Sequence, residues 1–161
     1  NYTEALKWYR LSADQGDANA QFKVGYMYDD GLGVPQNYKE ALKWYRLAAD
    51  QGNAAAQYNI GRGYYIGKNY TEALKWYRLS ADQGDADAQC KVGYIYFTGL
   101  GVPSNYQEAY IWYALAAANG NEVAKNNVTT VDAKLSPAQL VEAQKRASEL
   151  FKQIEERQKL E

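Results

Sequence analysis

The sequence predicts an all-α solenoid, a right-handed superhelix of antiparallel helix pairs closed by a C-terminal capping helix. Three observations carry this. The four tryptophans, Trp8, Trp44, Trp76 and Trp112, lie 36, 32 and 36 residues apart. Each sits in the same block: NYTEALKWYRLSADQGD (1–17), NYKEALKWYRLAADQGN (37–53), NYTEALKWYRLSADQGD (69–85) and NYQEAYIWYALAAANGN (105–121). Between the blocks lie segments that open on A-x-A-Q and carry a glycine four residues after the glutamine. A period in this range marks stacked supersecondary units, each of which buries its apolar face only against its neighbours.

Each block reads as one helix. Asn1, Asn37, Asn69 and Asn105 are of a helix-capping type, and a glutamate follows in the first turn. Ala5, Trp8, Tyr9 and Ala13 and their counterparts fall on one face, so the Trp and Tyr repeats are expected in the core. Tyr2, Tyr38, Tyr70 and Tyr106 are expected at the corners between helices. Gly16, Gly52, Gly84 and Gly120 stand where a left-handed residue ends a helix. The A-x-A-Q segment is the partner helix. Val24-Gly25 with Tyr28 recurs as Ile60-Gly61 with Tyr64 and as Val92-Gly93 with Tyr96. A glycine inside a helix costs about 1 kcal/mol against alanine, so its return at one position implies close helix approach there. Gly31-Leu32-Gly33-Val34-Pro35 and Gly99-Leu100-Gly101-Val102-Pro103 join the helices. In the shortened middle unit Ile66-Gly67-Lys68 must do the same, which makes a tighter corner.

The expected organisation is therefore a second helix of a leading unit (1–17), a repeat (18–53), a shortened repeat (54–85), a repeat (86–121), and a partial repeat with a terminal helix (122–161). The chain opens inside a unit whose first helix is absent, so further sequence upstream of Asn1 is expected. At the other end, Glu122–Val128 aligns with the start of a further A-x-A-Q helix, with Lys125 in place of glutamine. Ser136-Pro137-Ala138-Gln139 is a helix start with a capping box and proline at the first helical position. Leu140, Ala143, Ala147, Leu150 and Ile154 mark its apolar face. The reading is a helix that covers the end of the array, with self-association through this C-terminal helix as the alternative.

The pattern A-x-A-Q-x-x-x-G-x-x-Y, then G-x-G-V-P, then E-A-x-x-W-Y, then A-A/S-A-x-x-G resembles the Sel-one-like repeat family, relatives of the tetratricopeptide repeats. It covers residues 1 to about 128. The chain departs from it in the shortened middle loop, and in Ile111 and Ala114 where other units carry Lys and Arg. The resemblance implies an α-solenoid acting as an adaptor or scaffold for protein complexes, often in bacteria. An exported or periplasmic location is implied by resemblance alone. A branch of that family has paired cysteines in each repeat. This chain has only Cys90, so neither that branch's disulfides nor its penicillin-binding activity carries over.

Composition narrows the function classes. The 161 residues include no histidine, one cysteine and sixteen tyrosines, at a net charge of -1. Without histidine, Ser-His-Asp and Cys-His catalysis are excluded within the chain, and the commonest zinc ligand is missing. Acids recur at repeated helix positions, whereas a catalytic acid is expected to break the repeat. Cys90 falls on an apolar helical position that favours a small buried residue. Asp29-Asp30-Gly31 lacks the alternating acids of a calcium loop. No enzyme, metal or cofactor is expected. Lys7, Lys43 and Lys75 with Arg10, Arg46 and Arg78 form a ridge, but Glu4, Glu40 and Glu72 and Asp14, Asp50 and Asp82 lie at compensating spacings. With the near-zero charge, this argues against nucleic acid. No apolar run approaches a membrane span, so no membrane insertion is expected.

The informative positions vary while facing one way. In tetratricopeptide-like units the first helix lines the concave surface. At spacing i, i+3, i+7, i+10 it presents Asn19, Phe22, Tyr26 and Asp29, then Ala55, Tyr58, Arg62 and Tyr65, then Asp87, Cys90, Tyr94 and Phe97. Aromatics and arginine are the types enriched in interaction hot spots. The expected site is a groove for a protein or peptide partner, with Tyr26, Arg62 and Tyr94 its centre. Phe22, Tyr58 and Cys90 could instead pack inward between units. Sugar stacking on these aromatics, and a structural spacer or engineered array, are the alternative readings.

Overall fold

The computed structural model describes residues 1–160. Among them it has nine helices and no strand: α1 (Tyr2–Asp14), α2 (Ala18–Asp30), α3 (Tyr38–Asp50), α4 (Ala54–Ile66), α5 (Tyr70–Ala81), α6 (Ala86–Thr98), α7 (Tyr106–Ala118), α8 (Glu122–Asp132) and α9 (Pro137–Gln158). The repeated caps do what their residue types predict. The side chains of Asn1, Asn37, Asn69 and Asn105 accept from backbone N–H groups in the first turns of α1, α3, α5 and α7. Asp17, Asp85 and Asn121 do so for α2, α6 and α8. Each satisfies a donor that the helix start would leave unpaired. Ser136 and Gln139 form a complete capping box at α9.

The helices fall into two compact units, residues 1–60 and residues 61 onward. In the first, α1, α2 and α3 enclose Leu6, Ala13, Ala20, Val24, Met27 and Trp44, with Tyr28, Leu32 and Val34 at the edge. In the second, Trp112, Tyr77, Tyr113, Ile95, Ile111, Leu115 and Val92 are fully buried.

Close approach at the repeated glycine is the common element of both units. A Cβ on Gly25 would lie 2.7 Å from the Tyr45 ring, and one on Gly61 or Gly93 would lie 2.8 Å from the Tyr77 or Tyr113 ring. The missing side chain is the space that the tyrosine of the following Trp helix fills. Connecting loops add a second close approach. Gly33 (φ 73°) and Gly101 (φ 71°) adopt the left-handed conformation. Their loops lie against the starts of α1 and α5: a Cβ on Gly33 would come within 2.6 Å of the Thr3 nitrogen, and one on Gly101 within 2.9 Å of the Thr71 nitrogen. The Thr71 hydroxyl donates to the Gly101 carbonyl at 3.2 Å. In the shortened unit the turn after α4 is made by Lys68 at φ 60°, the one non-glycine with positive φ among the described residues.

Two expectations about the aromatics need correction. Trp44 and Trp112 are buried, but Trp8 and Tyr9 of α1 are 65% and 39% exposed. Trp44 lies under the Arg10 side chain of the preceding Trp helix, and among the described residues no helix stands before α1 to cover Trp8 in that way. Tyr2 and Tyr38, expected at inter-helix corners, stand 61% and 65% exposed. Tyr70 and Tyr106 do meet neighbouring rings, those of Tyr65 and Phe97.

α9 packs along α7. It buries Ala143, Ala147 and Ile154, with Leu140 and Leu150 half-buried. Arg146 pairs with Glu108 at 2.5 Å, and the Gln158 amide donates to the Gln83 carbonyl at 2.7 Å. This explains the two departures of the last block. Ile111, standing where other units carry Lys, is 1% exposed. Ala114, standing where they carry Arg, lines a cleft of about 460 Å³ that also takes in Leu115, Ala147 and Phe151. A charged ridge there would oppose α9.

Gly93→Ala is expected to destabilise the fold by about 1–3 kcal/mol despite alanine's better helix propensity, because the Tyr113 ring must move. Gly63→Ala, in the same kind of helix but with nothing near its Cβ, is expected to stabilise by up to about 1 kcal/mol. Urea denaturation of the pair checks this. Lys68→Gly is expected to gain about 0.5–1 kcal/mol in the same assay, since a left-handed non-glycine costs about 1–2 kcal/mol and glycine returns part of that as chain entropy. Ile111→Lys is expected to release α9, seen as loss of hydrogen-exchange protection in residues 137–158 while α5 and α6 stay protected.

Candidate functional site

Helical spacing puts the expected partner-binding row on the first helix of each unit, and the structure sorts it into three kinds of residue. Tyr26, on α2, is 41% exposed, and Tyr94, on α6, is 40% exposed. Arg62, on α4, is also exposed. These are the three residues placed at the centre of the groove. A hydrogen bond with the exposed Asp30 carboxylate, one turn on, raises the Tyr26 phenol above its ordinary pKa.

A second set is half-buried and packs. Phe22 rests on Tyr45, ring centroids 5.8 Å apart, and touches Tyr26 at 6.4 Å. Tyr58 and Cys90 occupy the matching positions and are likewise half-buried. Burial pushes the Cys90 thiol up, away from the thiolate that nucleophilic chemistry needs. Tyr65 and Phe97 are half-buried beside Tyr70 and Tyr106.

The third set is engaged within the fold. Asp29 is 7% exposed and accepts a hydrogen bond from the Tyr45 hydroxyl at 3.2 Å. Its place in an exposed row is therefore corrected: a helical stripe of that width wraps onto the face that α3 covers. Asn19 and Asp87 are exposed, but each accepts from the cap of the next first helix. The Asn53 amide donates to Asn19 at 3.0 Å, and the Asn121 amide to Asp87 at 2.8 Å.

Sequence reasoning missed the polar relay that holds the row in place. The buried glutamine of the A-x-A-Q motif caps the preceding Trp helix: Gln21 donates to the Ala13 carbonyl at 3.2 Å, Gln57 to Ala49 at 3.4 Å and Gln89 to Ala81 at 3.1 Å. The amide oxygen of Gln21 then accepts from Gln51 at 2.8 Å, and that of Gln89 from Asn119 at 3.0 Å. Gln21 and Gln89 thus each close their own hairpin and receive an amide from the end of the next Trp helix. The signal was available, because a buried amide that returns in every unit needs partners for both of its ends.

The basic ridge also has an unread role. Lys7, Lys43 and Lys75 pair with Glu4, Glu40 and Glu72 as the spacing predicts. The Arg10 guanidinium, however, lies over Trp44, 5.9 Å from the ring centroid, and that of Arg78 over Trp112 at 4.5 Å. These are cation–π contacts that couple one Trp helix to the next. Arg10 and Arg78 of the ridge are thus part of the packing, while its lysines stay in solvent.

Among the described residues, no group of three or more His, Cys, Asp or Glu side chains is placed to hold a metal ion. Nor, among the described residues, is any helix long and apolar enough to cross a membrane.

Paired helices joined by a recurring glycine–tyrosine contact and glutamine relay define an all-α repeat solenoid. The Sel1 repeat profile matches residues 1–17, 18–53, 54–85 and 86–121, and the chain belongs to the Sel1 repeat family. Among solved structures, a Sel1 repeat protein from Oxalobacter formigenes is 42% identical and superposes with a TM-score of 0.75, over 79% of this chain and 52% of that one. The protein c5321, a protective antigen present in uropathogenic Escherichia coli strains and displaying an SLR fold, is 30% identical with a TM-score of 0.50, over 94% of this chain and 40% of that one. The chain therefore spans about half the length of the first neighbour and two fifths of the second. Comparison with curated proteins returns no match. The family fold is a helical repeat scaffold of the kind that mediates protein interactions.

Proposed function

We propose that this chain is a non-catalytic scaffold that binds a partner protein or peptide on the face formed by the first helices of its repeats, the concave face in tetratricopeptide-like arrays. One observation carries the reading. At a single position of the repeat, Tyr26, Arg62 and Tyr94 are exposed while the glycines just before them, at 25, 61 and 93, are buried in helix contacts. The packing residues of the unit are near copies of one another, and the exposed position carries Tyr, Arg and Tyr in the three units. That is the division of labour a scaffold needs: a buried frame and an exposed surface of residue types enriched in interaction hot spots. The half-buried Phe22, Tyr58, Tyr65 and Phe97 would support the exposed side chains from beneath, and Asn19 and Asp87 would fix the helices that bear them.

Tyr26→Ala, Arg62→Ala and Tyr94→Ala are each expected to weaken capture of a partner from source cells by about tenfold, the loss of one hot-spot side chain. The melting temperature is expected to move by less than about 2 °C, because exposed positions contribute little to stability. Affinity capture quantified by mass spectrometry, with thermal melts of the same variants, checks both. Unchanged capture by all three variants would sink the assignment of this face.

A further inference from the structure

One repeat position is filled differently in the last Trp helix. The residue before the left-handed glycine is Gln15, Gln51 and Gln83 in the first three blocks and Asn119 in the fourth. Asn119-Gly120 is the one Asn-Gly pair in the sequence. The exchange matters chemically. Glycine has no side chain to shield its backbone nitrogen, and that nitrogen can attack the Cγ of a preceding asparagine to close a five-membered ring. From glutamine the same attack must close a larger and less favourable ring.

Asn119 and Gly120 are exposed, and a Cβ on Gly120 would meet no described atom within 4 Å, so water reaches the turn. The fold nonetheless holds both reacting groups. The Asn119 amide donates to Gln89 Oε1 at 3.0 Å and to the Gly84 carbonyl at 3.5 Å. The Gly120 N–H donates to the Ala117 carbonyl at 3.1 Å. Asn119 stands at ψ 13°, whereas ring closure needs its Cβ and the Gly120 nitrogen nearly eclipsed about the Cα–C bond. Closure therefore waits on fraying of the last turn of α7, which releases these bonds and frees ψ.

We propose that Asn119 is a site of spontaneous deamidation gated by that fraying, and that its conversion cuts the amide relay between α6 and α7. The Gly120 nitrogen gives its proton to solvent and bonds to Asn119 Cγ. The bond from Cγ to the side-chain nitrogen breaks, and ammonia leaves with a proton from water. Water then adds to one imide carbonyl and opens the ring to aspartate or isoaspartate. The sum is amide plus water to acid plus ammonia, with no redox change. Either product lacks the side-chain N–H donors. The buried Gln89 loses the donor to its Oε1, and a new carboxylate stands at a turn where Gln89 and Gly84 present oxygens. The site does not depend on what the exposed face of the repeats binds.

The test keeps the full chain in mildly alkaline buffer, folded and in parallel in urea, and follows each asparagine by peptide mapping with mass spectrometry. In urea, position 119 is expected to convert ahead of every other asparagine. In the folded chain it is expected to convert first again, about tenfold to a hundredfold more slowly, the factor set by local opening. Asn119→Gln, the residue of the other blocks, is expected to stop conversion there and to keep the relay, as Gln51 does for Gln21. Asn119→Asp, standing for the product, is expected to speed amide exchange in the last turn of α7 and the first turn of α6 at least about fivefold over Asn119→Gln, with helicity by circular dichroism unchanged. Another asparagine converting first in the folded chain overturns the proposal. So do equal rates in the folded and unfolded chain, and so does no conversion in the folded chain after about a hundred of the half-lives measured in urea. Unchanged exchange in Asn119→Asp overturns it as well.

Discussion

The glycine–tyrosine contact between neighbouring helices is the constraint on which the rest of the structure depends. Where Gly25, Gly61 and Gly93 lack a side chain, the rings of Tyr45, Tyr77 and Tyr113 fill the space. That approach fixes how closely a first helix meets the Trp helix after it. The buried glutamine can then reach the last carbonyls of the preceding helix, as Gln21, Gln57 and Gln89 do. A following helix one side chain further away would pull Gln51 and Asn119 off the amide oxygens of Gln21 and Gln89, at a cost of about 1–3 kcal/mol for each group left unsatisfied in the interior. Apolar contact thus sets the distance, and polar contact sets the register.

A second consequence concerns charge. Surface arginines at repeat spacing look like a solvated ridge or an anion-binding stripe. Here Arg10 and Arg78 spend their guanidinium faces on Trp44 and Trp112. The contact serves only where another Trp helix follows. In α7 the corresponding residue is Ala114, the neighbouring lysine position is Ile111, and α9 occupies the space. The two substitutions and the added helix are one change, an exchange of a charged ridge for an apolar seat.

Most of the frame was legible in the sequence because it is written several times over. Trp spacing, capping residues and the paired-glycine loops each recur, and recurrence separates packing from chance. Legibility failed where a residue's role depends on a neighbour some 30 or more positions away. Asn19 and Asp87 read as groove residues, yet each meets the cap of the next first helix. Asp29 fell on the exposed stripe by spacing, but the stripe curves under Tyr45. Trp8 repeats the sequence context of Trp76, since residues 1–17 and 69–85 are identical, and still lies open while Trp76 is half-buried. Identical segments differ here only through what lies beside them, which no local pattern records. The exposed row of Tyr26, Arg62 and Tyr94 was legible because helical spacing puts each directly after the buried glycine of its unit.

The graded burial of the tryptophans gives the molecule a built-in optical scale. Trp8 is 65% exposed, Trp44 8% and Trp112 1%, each on an equivalent helix. Indole emission shifts to the red as water reaches the ring, so the four residues report from four known stations along the chain. Keeping one tryptophan and replacing the other three with phenylalanine turns each unit into its own spectroscopic channel. Fraying at either end, loosening of the Arg–Trp contacts and rigidification by a bound partner would then be read at the repeat where each occurs.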